Sequence, residues 1–110
     1  DTVATLIRSG GRVTAGSDAP SVPYGLGLHA ELTLLTQSGV PNDRALRLVT
    51  AEAALALGLE RELGTVEAGK LADFVIINGN PLINMTDSLD IEAVVRGGTW
   101  FERGELLSPR

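Results

Sequence analysis

The sequence contains no cysteine and only one histidine, His29. Without a thiol the chain can form no disulfide, no thiolate zinc site, no iron–sulfur cluster and no cysteine nucleophile. A metal site that needs two imidazoles cannot come from this chain by itself. All of these site types are therefore excluded for the chain alone.

The sequence also lacks an excess of basic residues and any long apolar run. Its formal net charge is -5, and its aromatic residues are one Trp, one Tyr and two Phe. Nucleic-acid binding needs a positive field, so we expect no nucleic-acid partner. The longest apolar run, residues 53–59, lies between Glu52 and Glu60. It is far shorter than the roughly 20 residues that cross a bilayer, and we expect no membrane partner either.

What the sequence does contain is typical of one small globular domain. Of its 110 residues, 44% are apolar and 21% are charged. A chain of this length can bury roughly two-thirds of its unfolded surface, which allows a core without disulfides or a structural metal. It is short for a complete large enzyme, and it begins with Asp1 and shows no basic and apolar leader. We expect a piece of a longer, soluble and cytoplasmic protein.

Apolar residues recur at helical spacing through the first half of the chain. The pattern predicts helices over residues 1–9, 28–38 and 41–57, each followed by a glycine. Residues 12–15 predict a short strand, which ends at the turn-forming residues 16–20. This strand has no partner within the helical half, which makes it part of an unfinished sheet.

The hydrophobic period changes from helical to alternating near Gly64. Strands are predicted over residues 72–77, 91–96 and 99–103, and the last two flank a Gly97-Gly98 hairpin turn. In that register Val94 lies opposite Phe101 and Val95 lies opposite Trp100. We therefore expect an α-rich part followed by a small, largely antiparallel sheet.

Two phosphate-binding motifs match the sequence incompletely. Residues 64–70 fit the first seven positions of a P-loop, but Leu71 stands where the motif needs a hydroxyl and a strand follows instead of a helix. We interpret this segment as a turn between strands. Residues 25–30 fit the GxGxxA dinucleotide fingerprint, yet the residues before them predict a loop and not a strand. We expect no nucleotide site at either place.

Asp18 is the strongest candidate for a functional residue. Ser17, Asp18 and His29 are the residue types of a hydrolytic triad, but nothing in their spacing brings them together. Asp18 stands where a predicted strand ends, which is where parallel α/β folds place reacting groups. Its carboxylate can ligate a divalent metal or accept a proton from water. The alternative, that Asp18 caps a turn through the following amides, is favoured by spacing alone.

Several motifs in order resemble those of one enzyme family. They are Ala-Gly-Ser-Asp-Ala-Pro at residues 15–20, Gly-Leu-His-Ala-Glu-Leu at 27–32, and the run from Leu63 to Ile77 with Gly-Lys-Leu-Ala-Asp at its centre. Asn80-Pro-Leu82 and Val94 to Gly98 follow. Together they resemble the amidohydrolase superfamily, and most closely the imidazolonepropionase-like metal-dependent hydrolases.

The resemblance implies an α/β fold class and two segments. Residues 1–60 would be the C-terminal end of a (β/α)₈ metal-dependent hydrolase barrel, with residues 12–18 as strand eight and the following helices. Residues 61–110 would supply the C-terminal strands of a composite β-sandwich. Removal of the remaining barrel would leave apolar surface uncovered, so we expect a homo-oligomer or association with that barrel. The contact would involve the strand edge of residues 12–15 and the Ala-rich helix of residues 41–57, which needs cover on more than one side.

The resemblance also implies a chemistry and its residues. Asp18 matches the strand-eight aspartate, which contacts the metal centre and acts on the hydrolytic water. His29 matches a histidine of the subgroup and is a candidate substrate-binding residue; the alternative is a residue at the helix start that makes a local hydrogen bond. Glu31 and Asp73 also match the pattern, and we interpret both as structural. The intact enzyme would hydrolyse carbon–nitrogen bonds of an amide or cyclic amide in a small-molecule substrate, using a divalent metal, zinc by resemblance.

The chain contains none of the other metal ligands of the family, such as the His-x-His pair of strand one. We expect the isolated chain to bind no metal tightly and to be inactive. The alternative function is therefore a structural or self-association module without catalysis.

Overall fold

Three helices pack around a small apolar core in the first half of the chain. The computed structural model describes residues 2–21 and 25–108. The helices of this half are α1 (Thr2–Arg8), α2 (Leu26–Gln37), α3 (Asn42–Val49) and α4 (Ala51–Leu57). The first three bury residues spaced three apart, as one face of an α-helix requires: Ala4 and Ile7 in α1, Leu32 and Leu35 in α2, and Ala45 and Leu48 in α3.

The prediction of one helix over residues 41–57 is wrong, because Thr50 separates α3 from α4. Thr50 has φ -125° and ψ -96°, outside the helical region. Its Oγ1 donates a hydrogen bond to the Leu46 carbonyl at 2.7 Å, a local bond that favours a bend. The break changes the direction of the chain, and an ion pair between Arg44 and Glu52 spans it.

The strand predicted over residues 12–15 is not formed in the described part of the chain. Exposure nevertheless alternates with period two from residue 11 to residue 18. Val13 and Ala15 pack against the helical core, while Arg12 and Thr14 are exposed. A strand needs a neighbouring strand for its backbone hydrogen bonds, and no strand of the described residues lies beside this segment.

The second half contains a three-stranded antiparallel sheet in the order β1-β2-β3. Its strands are β1 (Phe74–Ile77), β2 (Ile91–Arg96) and β3 (Thr99–Glu102). The expected pairs Val94 with Phe101 and Val95 with Trp100 are confirmed. Gly97 and Gly98 have φ of 54° and 79°, the positive values that a type I′ hairpin turn needs at both central positions. The chain is thus α/β with a three-stranded antiparallel sheet.

Two short helices of this half were not expected from the sequence. The 3₁₀ helix Met85–Leu89 begins after Asn84, whose side chain accepts from the Thr86 amide in the manner of an N-cap. Helix α5 (Arg103–Leu107) begins with a capping box between Glu102 and Glu105. None of the helices in the described ranges is long and apolar enough to cross a membrane.

The 3₁₀ helix connects the sheet half to the helical core. Met85 is only 4% exposed and belongs to the same apolar cluster as Leu32, Leu35 and Leu48. Nearby, the Asn42 side chain donates to the Pro81 carbonyl at 2.9 Å. The loop between β1 and β2 therefore completes a core that the helices alone would leave open.

We predict that Met85→Ala destabilises the chain by about 2–5 kcal/mol, because it leaves a cavity where helices and loop meet. The measurement is the free energy of unfolding from urea titration. Ile83→Ala is the matched control, since Ile83 belongs to the same loop but is 82% exposed. Its effect should stay within about 0.5 kcal/mol. Equal losses for the two variants would show that Met85 does not carry the contact between the halves.

Candidate functional site

Asp18 lies at the end of the packed segment of residues 11–17 and is exposed. Its φ is 51°, in the left-handed region that aspartate adopts more readily than most other residues. No hydrogen bond or ion pair within the described residues engages its carboxylate. The turn-capping alternative requires such a bond to a following amide. The carboxylate oxygens are thus available to a ligand.

Ser17, Asp18 and His29 do not form a triad in the described part of the chain. The ring of His29 is hydrogen-bonded to Ser88 and not to Ser17 or Asp18. Within residues 2–21 and 25–108, no three His, Cys, Asp or Glu side chains group closely enough to hold a metal ion. The described residues therefore do not form a complete metal site by themselves.

His29 lies in the first turn of α2 and connects this helix to the 3₁₀ helix. Its Nδ1 lies 3.0 Å from the Ser88 Oγ, between residues 59 positions apart. The expected alternative for His29 was a local hydrogen bond at the helix start, so the long-range partner is a correction. Helix α2 has no side-chain cap at Gly25. The bond to Ser88 is thus a side-chain contact that restrains this end of the helix. Sequence reasoning missed Ser88, since its burial depends on the docked loop.

The segment of residues 64–70 forms turns, as expected, but it lies between α4 and β1 and not between two strands. Lys70 Nζ donates to Thr65 Oγ1 at 2.6 Å and pairs with the Glu67 carboxylate at 2.9 Å. The lysine side chain therefore contacts residues of its own loop. The segment leads into β1, whereas a P-loop leads into a helix.

Just before β1, Asp73 accepts a hydrogen bond from the Gly97 amide at 2.6 Å. Asp73 has the structural role that its position in the motif predicted.

The other fingerprint, at residues 25–30, includes the start of α2. Gly25 precedes the helix with φ 81°, and Gly27 is buried in its first turn. Residues 22–24, where the loop before the fingerprint was predicted, lie outside the described residues. In residues 12–21 there is no strand that could lead into the fingerprint. The described part thus offers no strand-to-helix turn of the dinucleotide-binding kind.

A largely apolar groove runs between α4 and β1. It has a volume of about 480 Å³ and is lined on one side by Ala53 and Leu57, and on the other by Val66, Phe74 and Val75. Leu57 is 74% exposed. The helix was expected to need cover on more than one side, and in this chain one of its apolar sides faces the open groove.

We predict that the pKa of Glu67 lies below its ordinary value of 4.5, because Lys70 and Thr65 hydrogen-bond to its carboxylate. The stability from this contact is present above the ordinary pKa and is lost as the pH falls through the lowered pKa. NMR titration of the side-chain carboxyl measures it. Lys70→Met should raise the pKa towards 4.5, whereas Arg8→Met, on α1, should leave it unchanged. A Glu67 pKa that does not respond to Lys70→Met would contradict the assignment.

Comparison with known proteins identifies the family. The sequence model of the Amidohydrolase family matches residues 1–101. A 5-methylthioadenosine/S-adenosylhomocysteine deaminase from Thermodesulfovibrio yellowstonii is 33% identical over 85 residues, which are 69% of this chain and 19% of that protein. An imidazolonepropionase from Acinetobacter baumannii is 40% identical over 75 residues, covering 66% of this chain and 19% of that protein.

The fold is also found in solved enzymes. The crystal structure of a Xaa-Pro dipeptidase with bound methionine in the active site matches with a TM-score of 0.86 and 29% identity. The match covers 93% of this chain and 25% of the dipeptidase chain. This chain thus spans about a fifth of the curated relatives and about a quarter of the solved structure. Since the family model covers nearly all of the sequence, the chain belongs to the amidohydrolase family.

Proposed function

We propose that this chain is the C-terminal part of a metal-dependent amidohydrolase that hydrolyses carbon–nitrogen bonds of amides or cyclic amides in small molecules. The match of the family model over residues 1–101 supports the proposal, as do relatives that include a deaminase and an imidazolonepropionase. The chain spans about a fifth of the length of these two relatives, and our proposal therefore places the complete activity in a longer protein.

The proposed organisation has two segments. Residues 1–60 form the last strand-helix unit of the (β/α)₈ barrel, with residues 12–18 as strand eight, and residues 61–110 belong to a composite β-sandwich. The alternating burial of residues 11–18 supports this assignment, because the segment has the side-chain pattern of a strand without a strand beside it in the described residues. The open edge of β1 fits a sheet that other strands complete.

Asp18 is the residue of this chain that we assign to the reaction. The observation that carries the assignment is its exposed carboxylate, without a protein partner in the described residues, at the end of the packed segment. Carboxylate oxygen is a suitable ligand for zinc and other divalent metals, so Asp18 fits one position of a metal site. When bound, the metal ion supplies Lewis-acid activation of the attacking water.

In the proposed reaction, Asp18 transfers a proton from the attacking water to the leaving nitrogen. As the water oxygen attacks the carbon of the scissile bond, one carboxylate oxygen of Asp18 accepts a proton from the water. When the carbon–nitrogen bond breaks, the same oxygen can return the proton to the leaving nitrogen. The backbone of Asp18 is left-handed, a conformation found more often at functional sites than elsewhere. His29 is the proposed substrate-binding residue in the following helix.

In the longer enzyme that contains this chain, Asp18→Asn should lower the rate of hydrolysis by about a hundredfold or more, because the amide cannot accept the proton. Steady-state kinetics on an amide substrate measure the loss. Asp43→Asn, an equally conservative change at an exposed position of α3, should keep near-normal turnover. Normal turnover of Asp18→Asn would leave Asp18 with a structural role only.

A second function applies to the chain in isolation, which we propose to be a self-association module. The groove between α4 and β1 supports it, since Leu57 and Val75 expose apolar surface beside the open edge of β1. The edge of residues 12–15 was also expected to take part. Its apolar side chains Val13 and Ala15 pack against the chain's own core, so the groove is the stronger candidate.

We predict that the isolated chain forms dimers or larger species at high concentration, and that Leu57→Glu shifts it towards monomer by placing a charge in the groove. Light scattering coupled to size exclusion measures the mass. Ile83→Glu is the control, because Ile83 is more exposed than Leu57 but does not line the groove. A monodisperse monomer at high concentration would contradict self-association. An equal effect of the two variants would show that the association surface lies outside the groove.

A further inference from the structure

The burial of Ser88 determines which group donates the hydrogen bond between His29 and Ser88. Ser88 is 3% exposed, so its hydroxyl proton must find an acceptor within the protein. Within the described residues the Ser88 hydroxyl has one hydrogen-bonding partner, Nδ1 of His29 at 3.0 Å. The choice of tautomer for His29 therefore decides whether the hydroxyl proton is satisfied.

The two neutral tautomers of His29 differ in what they offer to Ser88. If Nδ1 carried the ring proton, it would donate to Oγ, and the hydroxyl proton of Ser88 would be buried without an acceptor. If the ring proton lies on Nε2, the lone pair of Nδ1 accepts the hydroxyl proton and both groups are satisfied. Burial of Ser88 thus favours the second arrangement.

We propose that Ser88 fixes His29 as the Nε2–H tautomer, so that His29 presents a hydrogen-bond donor to a carbonyl or carboxylate oxygen of the substrate. This assignment rests on the proposed hydrolase function for the part that concerns substrate. Nε2 has no partner among the described residues, and His29 is only half-buried. An amide or cyclic amide carries the carbonyl oxygen that such a donor recognises.

The position of His29 at the start of a helix limits how far its ring can move. His29 lies in the first turn of the helix that follows the Asp18 loop, eleven positions along the chain. That turn has no side-chain cap, and the bond to buried Ser88 restrains it. Ser88 therefore acts as a positioning residue, which sets both the orientation of the ring and the nitrogen that carries the proton.

The tautomer can be measured directly in the 110-residue chain, because His29 is its single histidine. With ¹⁵N-labelled histidine, a long-range ¹H–¹⁵N correlation at a pH where the ring is neutral should show a protonated Nε2 and an unprotonated Nδ1. Ser88→Ala should move the two nitrogen shifts away from the wild-type positions. Ser88→Thr, which keeps the hydroxyl, should restore them, and the exposed Ser108→Ala should leave them unchanged.

A protonated Nδ1 in the wild-type chain would overturn the proposal. So would wild-type nitrogen shifts in a folded Ser88→Ala variant, with folding checked from the backbone amide spectrum. If Ser88→Ala does not fold, the tautomer of the wild type and of Ser88→Thr decides the outcome.

The substrate contact is tested in the longer enzyme with an amide substrate. Glutamine can place an N–H near the position of Nε2, whereas phenylalanine has no donor. We therefore expect His29→Phe to raise KM about tenfold, the effect of one lost hydrogen bond, and His29→Gln to recover part of this loss. Metal content should not change in either variant. An unchanged KM in His29→Phe overturns the contact. The proposed function is judged separately by Asp18→Asn, so the two failures are distinguishable.

Discussion

Met85 fills the centre of a core that the helices leave incomplete. It belongs to a short 3₁₀ helix of the sheet half, yet its neighbours in the apolar cluster come from α1, α2 and α3. Because the helical half and the sheet half each have few fully buried residues, this contact joins two parts that would otherwise each have a small core. The same docking brings Ser88 to His29 and Pro81 to Asn42. Apolar burial thus supplies the attachment, and the hydrogen bonds determine its orientation.

A second close contact lies beside α4, the helix that follows the break at Thr50. A Cβ on Gly64 would lie 2.6 Å from the Ala54 Cβ and 3.0 Å from the Ala51 Cα, and the φ of Gly64 is +93°. Glycine is therefore required where the loop before β1 crosses the start of α4. The loop covers one side of α4 and leaves Leu57 and its neighbours open along the groove.

The two candidate site residues differ in how the chain restrains them. His29 is fixed from outside its own helix by a buried hydroxyl. Asp18 is placed by its backbone, with a left-handed conformation after a segment that packs on the core. Such an arrangement fits a residue whose carboxylate must stay free for a ligand, since a hydrogen bond within the protein would compete with that ligand. The described residues therefore present one exposed carboxylate without a protein partner and one imidazole ring held by a buried hydroxyl.

Local patterns in the sequence determined the elements. Spacing of apolar residues predicted α1, α2 and the three strands, and the Gly97-Gly98 turn determined the register of β2 with β3, because a two-residue turn leaves one pairing. The motif order around Asp18 and Asp73 predicted the family. Tertiary structure alone decided the docking of Met85 and the pairing of His29 with Ser88. Each depends on a partner distant in the sequence or on a close approach between segments, which residue patterns do not encode. Residues 12–15 are a further example. Their alternation of apolar and polar side chains is visible in the sequence, but a strand also needs backbone hydrogen bonds to a neighbouring strand, which the sequence of the segment does not predict.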